Sequence, residues 1–405
     1  MSPTNPPLAA KLGGLKSSAI RDLLKLTARD EVISLAGGLP DAELMPRERL
    51  AAAADAALRG SAVLQYTESA GWVPLRDVLR QRESAKLGRA VGLDEIFVTH
   101  GSQQALSLLA EVLLDPGALV VVEDPAYVGA LQVFRAVGAR IVAVPLDSEG
   151  MRLDVLKELL GRGERPAIVH TVSNFHNPGG VTMSPPRRRE LAELADAHGF
   201  WVIEDDPYGE LWFDRPSPDP VATYSRNVIR LSSASKILAP ALRVGWMVAQ
   251  ERICRAVELL KQGADLCGSA LTHQIAADLL TDESWLTGHV DTVRTAYGDR
   301  AKALVHAVRT RFGDRVTCTD AAGGMFVWAD FTDRTDTDEL LPLALAHGVA
   351  FVPGSAFAVD TDYSHSMRMC FTTFDPPTLE AAVDRMARAA EQLKATPQQL
   401  IRSAG

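Results

Sequence analysis

The chain has 405 residues, of which 47% are hydrophobic and 23% are charged, and its formal net charge is −9. These values are typical of a globular protein and exclude a disordered chain, a collagen and a small disulfide-rich scaffold. The acidic balance also argues against nucleic acid as the main partner, because nucleic-acid-binding proteins usually carry a basic surface.

The sequence predicts neither a membrane span nor a disulfide framework. No apolar run approaches the ~20 residues of a transmembrane helix, and the polar, proline-rich start lacks the apolar core of a signal peptide. The four cysteines show no Cys-x-x-Cys spacing, and the histidines show no metal-binding motif. We therefore predict free thiols, no metal and a cytoplasmic location.

The middle of the chain alternates short apolar runs with amphipathic stretches. The predicted strands are Ile96–Thr99, Leu119–Val122, Ile141–Val144, Ile168–Thr171, Trp201–Ile203 and Val228–Leu231. The predicted helices between them include Ser102–Leu114, Tyr127–Val137 and Pro186–His198. This alternation predicts an α/β fold with a mainly parallel sheet, so ligand-binding residues are expected beyond the carboxyl ends of the strands.

The two ends of the chain differ from the middle and predict a smaller α+β domain. Helices are predicted at Ser18–Leu26, Trp285–Arg309, Thr337–His347 and Thr378–Leu393, and strands at Met325–Ala329 and Ala350–Val352. The predicted boundaries give an N-terminal arm with part of the small domain over 1–46, a large domain over 47–295 and a small C-terminal domain over 296–405.

A lysine flanked by serines follows the last predicted strand of the middle region, in Ser233-Ala234-Ser235-Lys236, with Arg243 nearby. Such a lysine can form a Schiff base if burial or a neighbouring cation lowers its pKa from about 10.4. The serine hydroxyls and Arg243 suit a phosphate group. Alone, the motif also fits a surface loop or a hydrolase in which the serine is the nucleophile.

An acidic motif, Asp205-Asp206-Pro207-Tyr208, follows the predicted strand Trp201–Ile203. A carboxylate at this place can keep a ring nitrogen protonated, and a protonated ring is an electron sink. Tyr208 can hydrogen-bond a ring hydroxyl. Alone, this motif is more often an acidic loop.

A second anion-binding candidate, Gly101-Ser102-Gln103-Gln104, lies between a predicted strand and a predicted helix. Free N–H groups at a helix N-terminus attract anions. An ordinary helix start is the alternative. A nicotinamide enzyme is disfavoured, because no Gly-x-Gly-x-x-Gly motif with a following acid is present.

Three further positions carry polar or aromatic groups that could meet a flat cofactor or a substrate. Asn177, in Asn177-Pro178-Gly179-Gly180, could donate to a phenolate oxygen, although the motif is also a common turn. Arg368 lies in an apolar run, where it needs a partner such as a carboxylate, unless it forms a structural ion pair. Tyr127 could stack on a ring or belong to the core.

Taken together and in this order, these motifs resemble the fold-type I pyridoxal-phosphate enzymes of the aminotransferase class I/II family. The resemblance extends from about Ser18 to Leu393. It implies a mainly parallel seven-stranded sheet between helices and pyridoxal 5'-phosphate as cofactor. It also implies amino acid and 2-oxo acid substrates, ping-pong transfer of the amino group, and a homodimer with shared active sites.

The resemblance also implies a role for each candidate residue. The implied catalytic residues are Lys236, Asp205 and Tyr208. The implied cofactor contacts are Lys236, Ser102, Gln103, Tyr127, Asn177, Asp205, Tyr208, Ser233, Ser235, Arg243 and, reaching the neighbouring subunit's phosphate, Tyr66. The implied substrate contacts are Arg368, Asn177, Gly38 and Arg21.

A narrower resemblance is visible near the N-terminus, in Ser18-Ala19-Ile20-Arg21 and the stretch 33–40. It is to the 2-aminoadipate and kynurenine aminotransferase branch, whose catalytic domain recurs in MocR-type regulators. In that branch the arginine at the Arg21 position helps receive the substrate side chain. The chain departs from the usual pattern at Gly179, where threonine is usual, at His176, where glutamine is frequent, and at Ala322, where proline is frequent.

Three alternatives stay open. An oxidase, a cyclase or a β- or γ-substituting lyase on the same scaffold would share the cofactor motifs. A ligand-sensing module would need a fused DNA-binding domain, and no basic helix-turn-helix precedes the enzyme-like region. His176 could contact the substrate or act as an acid or base, or it could be a loop histidine without such a role.

Overall fold

The structure is a computed structural model that describes Leu23 and residues 31–395. The predicted helix Ser18–Leu26 and the candidate Arg21 therefore lie outside the described residues, except for the buried, helical Leu23. No helix in this part of the chain is both long and apolar enough to cross a membrane. The four cysteines are unpaired.

The strands and helices of the described residues follow in chain order. The strands are β1 (Ile33–Ser34), β2 (Ile96–Thr99), β3 (Leu119–Asp124), β4 (Arg140–Asp147), β5 (Gly150–Met151), β6 (Ile168–Thr171), β7 (Trp201–Asp205), β8 (Val228–Ser233), β9 (Gly245–Val248), β10 (Val316–Cys318), β11 (Phe326–Phe331), β12 (Val349–Ala350), β13 (Val352–Pro353) and β14 (Ser366–Cys370). The α-helices are α1 (Arg47–Leu58), α2 (Val73–Leu87), α3 (Ser102–Leu113), α4 (Val128–Ala136), α5 (Leu153–Gly161), α6 (Pro185–His198), α7 (Glu251–Ala264), α8 (Ala270–Thr281), α9 (Glu283–Phe312), α10 (Thr337–Ala346) and α11 (Pro376–Ala395).

The large sheet has the order β2-β9-β8-β7-β6-β3-β4-β5. Strands β8, β7, β6, β3 and β4 are parallel to one another, and β2 shares their direction because it pairs antiparallel with the reversed strand β9. These seven strands confirm the predicted mainly parallel sheet. The two-residue β5 adds an eighth, antiparallel strand at the edge.

The central strands are buried on both faces, as their apolar sequences require. All six residues of β3 and all six of β8 are buried, so helices must cover both sides of the sheet. Polar groups therefore concentrate where the strands end. Strand β7 extends through Asp205 and β8 through Ser233, which places both candidates at the carboxyl edge of the sheet.

A smaller α+β domain is built from both ends of the chain, as predicted. Strands β10, β11, β14 and β13 form an antiparallel sheet, while β1 from the N-terminal part pairs in parallel with β12. Helix α9 packs against α11 beside this sheet. Because α9 runs without a break across residue 295, the predicted boundary between 295 and 296 falls within a helix, and the domain bounds stay a prediction.

Two examples show where the fold differs from the sequence-based expectation. Strand β9 was not predicted, since its four residues begin with Gly245 and follow closely on the turn at Arg243. The single strand predicted at Ala350–Val352 is two strands in different sheets, because the chain passes from one sheet to the other at Phe351.

Candidate active site

Lys236 ends a short 3₁₀ helix that follows β8 directly. Its Nζ donates a hydrogen bond to the Gly38 carbonyl at 2.9 Å. Burial lowers the pKa of Lys236 to about 8, and the cations Arg368 and Arg243 act in the same direction, against an opposing effect of Cys370. A neutral amine is what attack on an aldehyde requires, so the site favours the reactive form of this lysine.

Asp205 presents a carboxylate oxygen that lacks a partner. The residue is 3% exposed, and its Oδ1 is buried without a hydrogen bond from any described residue. Its Oδ2 lies 3.9 Å from Nε2 of His170, which is also buried. A buried acceptor without a donor is costly, and the N–H of a protonated pyridine ring would satisfy it. This oxygen therefore fits the predicted cofactor.

The predicted phosphate contacts form a cradle between α3 and the end of β8. Gly101 has a positive φ of 77° and turns the chain into α3, so the first N–H groups of that helix are free. Ser235 Oγ lies 3.0 Å from Ser233 Oγ, and Arg243 Nη2 donates to the His100 carbonyl at 2.7 Å. One cation and several donors therefore converge where an anion fits.

Glycine is required where β9 packs against this cradle. A Cβ built on Gly245 would lie 2.5 Å from the carbonyl carbon of Gly101 and 2.6 Å from the Ser102 nitrogen. Any side chain at 245 would therefore displace the start of α3 and the cradle with it.

Two tyrosines line the space in front of Asp205. The Tyr127 hydroxyl donates to Gln103 Oε1 at 3.0 Å, while Gln103 Nε2 donates to the Gly129 carbonyl at 3.1 Å. Gln103 thus keeps its backbone N–H and one hydrogen of its side-chain Nε2 for a phosphate. The Tyr208 hydroxyl accepts from Asn177 Nδ2 at 3.4 Å. Burial raises the pKa of both tyrosines, so both hydroxyls stay protonated.

Arg368 is a buried cation that no described carboxylate neutralises. It is 2% exposed, its Nη1 donates to Asn177 Oδ1 at 2.8 Å, and its Nη2 donates to the Ala36 carbonyl at 2.7 Å. In the part of the chain that the structure describes, its Nε is buried without a partner, and its guanidinium carbon lies 4.2 Å from the centre of the Phe326 ring. Burial lowers its pKa to about 10. The structure thus disfavours a structural ion pair and leaves a place for an anion.

One cleft of about 460 Å³ brings nearly all the predicted residues together. Its lining includes Gly38, Ser102, Gln103, Tyr127, Asn177, Asp205, Tyr208, Ser233, Ser235, Lys236, Arg243 and Arg368. Two candidates are not part of it within the described chain. Tyr66 is 77% exposed on the surface, and Arg21 lies outside the described residues.

Two residues of the site were not singled out from the sequence. His170 lies inside the buried strand β6, where the only signal was a histidine in an apolar run. Phe326 begins β11 and packs edge-on against Tyr208 and beneath Arg368. A Cβ on Gly38 would come 2.9 Å from the Phe326 ring, so this ring sets how closely the N-terminal segment approaches.

Comparison with known proteins identifies the family. Residues 30–386 match the family model described as aminotransferase class I and II. The chain belongs to the class I and II aminotransferases. As in other members of the class, its cofactor is pyridoxal phosphate, and the residues of the cleft provide a carboxylate, a cradle and a lysine that suit it.

Similar aminotransferases cover almost the whole chain. An aromatic-amino-acid aminotransferase of Thermococcus litoralis is 38% identical over 94% of this chain and 93% of its own length. A 2-aminoadipate transaminase of Thermus thermophilus is 38% identical over 95% of this chain and 96% of its own length. A solved kynurenine aminotransferase of Pyrococcus horikoshii, in complex with PMP, is 36% identical with a TM-score of 0.91, covering 96% of this chain and 98% of that one. The predicted branch is confirmed, and an oxidase, a cyclase or a lyase is not favoured.

Proposed function

We propose that this aminotransferase moves the α-amino group of an amino acid with an aromatic or long side chain to a 2-oxo acid. The observation that carries the proposal is that one cleft holds the Lys236 amine, the partnerless Asp205 oxygen and the unneutralised Arg368 guanidinium. These three groups match the needs of an amine, a ring nitrogen and an α-carboxylate.

The division of roles follows from the position and charge of each group. When bound, pyridoxal phosphate supplies an aldehyde for the amine and a ring that withdraws electrons from Cα. Arg368 binds the α-carboxylate and thereby orients the substrate. Lys236 Nζ, neutral in part near pH 8, takes the proton from Cα and returns it as a general acid. Asp205 Oδ1 would accept a hydrogen bond from the ring N–H of the bound cofactor.

The remaining residues of the cleft fix the positions of these groups relative to one another. Asn177 contacts both Arg368 and Tyr208, so it links the carboxylate site to the tyrosine that faces the ring. The cradle of Ser233, Ser235 and Arg243 would hold the phosphate. Gly38 and Tyr127 lie beside the substrate position in the same cleft.

Support for an aromatic or long side chain comes from two sources. The cleft includes the ring of Phe326 near Arg368, which offers an apolar surface next to the carboxylate site. The three similar proteins reported above are named for aromatic amino acids, 2-aminoadipate and kynurenine, all of which have side chains longer than that of alanine. An archaeal alanine:glyoxylate aminotransferase is also similar, at 30% identity, so alanine is the control that decides the question.

A substrate panel tests this proposal. Phenylalanine, tyrosine, kynurenine and 2-aminoadipate are each supplied with 2-oxoglutarate, and alanine and aspartate serve as short controls. We expect kcat/KM at least about tenfold higher for the long substrates, because each buried methylene contributes about 0.8 kcal/mol. Without an acceptor, each active site should release one oxo acid and no ammonia. A preference for alanine or aspartate would contradict the substrate proposal, and release of ammonia would contradict simple transamination.

A homodimer is part of the same proposal. Leu58, Leu64 and Tyr66 are 52%, 67% and 77% exposed, and Leu266 is 49% exposed. Ser69 Oγ donates to the Leu266 carbonyl at 2.7 Å, so the two chain segments adjoin. Exposed apolar side chains of this size favour association, and we expect a second copy to bring Tyr66 to the neighbouring cradle.

Two variants separate assembly from cofactor binding. Leu64→Asp should yield monomers in sedimentation and lose cofactor affinity, because a charge would enter the interface. Tyr66→Phe should keep the dimer but weaken cofactor binding about tenfold, since only one hydroxyl is lost. Monomers in the unaltered protein would contradict the dimer, and unchanged affinity in Tyr66→Phe would contradict its role. A cytoplasmic location, based on the free cysteines, is kept as a proposal.

A further inference from the structure

His176 is fully buried and is not among the residues that line the cleft. Its Nδ1 accepts a hydrogen bond from the Gly179 N–H at 3.0 Å, and its Nε2 lies 3.1 Å from Oε2 of Glu123. An Nδ1 that accepts a hydrogen bond carries no proton, so the hydrogen-bond network assigns the ring proton to Nε2, beside the carboxylate. The ring is therefore hydrogen-bonded at Nδ1, while Nε2 is in electrostatic contact with the carboxylate and makes no hydrogen bond within the described residues.

Glu123 is the next-to-last residue of β3, and its carboxylate contacts residues of two other chain segments. The residue is 3% exposed, and its carboxylate accepts from Thr171 Oγ1 at 2.6 Å and from the Val172 N–H at 2.9 Å, besides facing His176. Burial opposes its ionisation, yet His176, Thr171 and Val172 hold the pKa of Glu123 below its usual range. An ionised carboxylate thus joins the ends of β3 and β6 to the histidine.

The backbone of His176 also closes the turn that carries Asn177. The His176 N–H donates to the Val181 carbonyl at 2.8 Å, and the His176 carbonyl accepts from the Gly180 N–H at 2.7 Å. Asn177 is the next residue, and its side chain contacts Arg368. A displacement of the backbone at position 176 would therefore also displace the Asn177 amide, which contacts the guanidinium.

Gly179 provides the space that this arrangement needs. A Cβ at position 179 would lie 3.2 Å from His176 Nδ1, closer than such contacts normally are. Its φ is not in the left-handed region, so backbone conformation does not require glycine here. Two of the three departures from the usual family pattern, His176 and Gly179, are thus in direct contact.

We infer that Glu123 and His176 are positioning residues that hold Asn177, and through it Arg368, in the geometry that binds the substrate carboxylate. Gly179 is glycine because a side chain there would push the imidazole off its hydrogen bond. The inference rests on the proposed role of Arg368 as the carboxylate site. It also assigns His176 a role other than direct substrate contact or acid–base catalysis.

A double-mutant cycle tests the coupling of positions 176 and 179. His176→Gln, Gly179→Thr and the double variant are compared with the unaltered protein for kcat, KM for the amino acid, and cofactor dissociation constant. We expect Gly179→Thr to raise KM about tenfold when His176 is present, and less than about threefold in the His176→Gln background. Glutamine can donate to Glu123 and accept from position 179, so His176→Gln alone should change KM little.

A second pair of variants tests the carboxylate. Glu123→Gln should raise KM about tenfold. The NH₂ group of the new amide would face either the Val172 N–H or the His176 ring, and two hydrogen-bond donors that face each other cannot both be satisfied. Glu83→Gln is the matched control, since Glu83 is also 3% exposed and accepts from Arg230 and Trp246 away from the cleft. That control should lower stability without raising KM.

The outcomes distinguish this inference from the proposal that Arg368 binds the substrate carboxylate. If Arg368→Lys leaves KM unchanged, the carboxylate site itself is wrong. If Arg368→Lys raises KM but Gly179→Thr has the same effect in both backgrounds, the positioning inference is wrong. Cofactor affinity that falls as much as KM rises in the 123 and 179 variants would also overturn it, because the cradle lies elsewhere in the cleft.

Discussion

The depressed pKa of Lys236 makes a quantitative prediction for the cofactor-free protein. Burial, with help from Arg368 and Arg243, lowers this pKa from 10.5 to about 8. A pKa of about 8 leaves roughly a quarter of the lysine neutral at pH 7.5, whereas a free lysine keeps only about a thousandth neutral. Only the neutral amine attacks an aldehyde. Covalent capture of pyridoxal phosphate should therefore be fast at pH values well below those at which an ordinary lysine loses its proton.

Stopped-flow absorbance measures this directly. Cofactor-free protein is mixed with pyridoxal phosphate at values between about pH 6 and pH 11, and the rate of covalent capture should rise with pH to a plateau with its midpoint near 8. Nα-acetyl-lysine in the same buffers is the matched reference and should show a midpoint of about 10.4. Lys236→Ala should show no covalent capture and no turnover.

The cause of the shift can be tested in the same assay. Burial is the largest cause, and Arg368 is a smaller one. Arg368→Met should therefore move the midpoint upward by less than about one pH unit. A midpoint near that of free lysine in the unaltered protein would refute burial as the cause. A capture rate that falls as pH rises would refute the protonation argument altogether.

Three further substitutions have distinct expected results. Arg368→Lys should raise KM for the amino acid about tenfold or more with cofactor affinity retained, because a point charge replaces a bidentate fork; predominant cofactor loss would contradict this. Asp205→Asn should lower kcat about a hundredfold, the factor equivalent to about 2.7 kcal/mol, because an amide cannot stabilise a protonated ring; near-normal turnover would contradict it. Gly245→Ala should weaken cofactor binding at least about tenfold by displacing the cradle. Gly161→Ala, with nothing within 4 Å of its Cβ, is the control, and equal effects of the two changes would remove the steric explanation.

The sequence predicted the large sheet well because its strands are short apolar runs separated by amphipathic helices. Ile96–Thr99 and Ile168–Thr171 have the predicted bounds, while β7 and β8 extend to include the polar Asp205 and Ser233. Those polar ends were assigned to loops because hydrophobic pattern alone cannot show where hydrogen bonding between strands stops. Strand β9 was missed for a related reason, since only three of its residues are apolar and a glycine precedes them.

The cleft residues were predictable where a motif placed them just after a strand, as for Lys236 and Asp205. His170 and Phe326 were not, because their importance depends on neighbours that are distant in sequence. The environment of His176 was likewise invisible, since nothing local indicates that Glu123 faces it. The domain bounds 1–46, 47–295 and 296–405 and the role of Arg21 stay predictions.

The short segment after β1 has a consequence for how the protein acquires its activity. The carbonyl of Ala36 accepts from Arg368, 332 residues away in sequence, and that of Gly38 accepts from Lys236, 198 residues away. Closing such long loops lowers the conformational entropy of the chain, and local contacts do not offset this cost. We therefore expect these hydrogen bonds to form late in folding. During refolding, helix and sheet content should recover before the yellow colour of the holoenzyme. During synthesis, a chain whose β14 has not yet left the ribosome already contains Lys236. It lacks Arg368, however, and therefore cannot bind the substrate carboxylate.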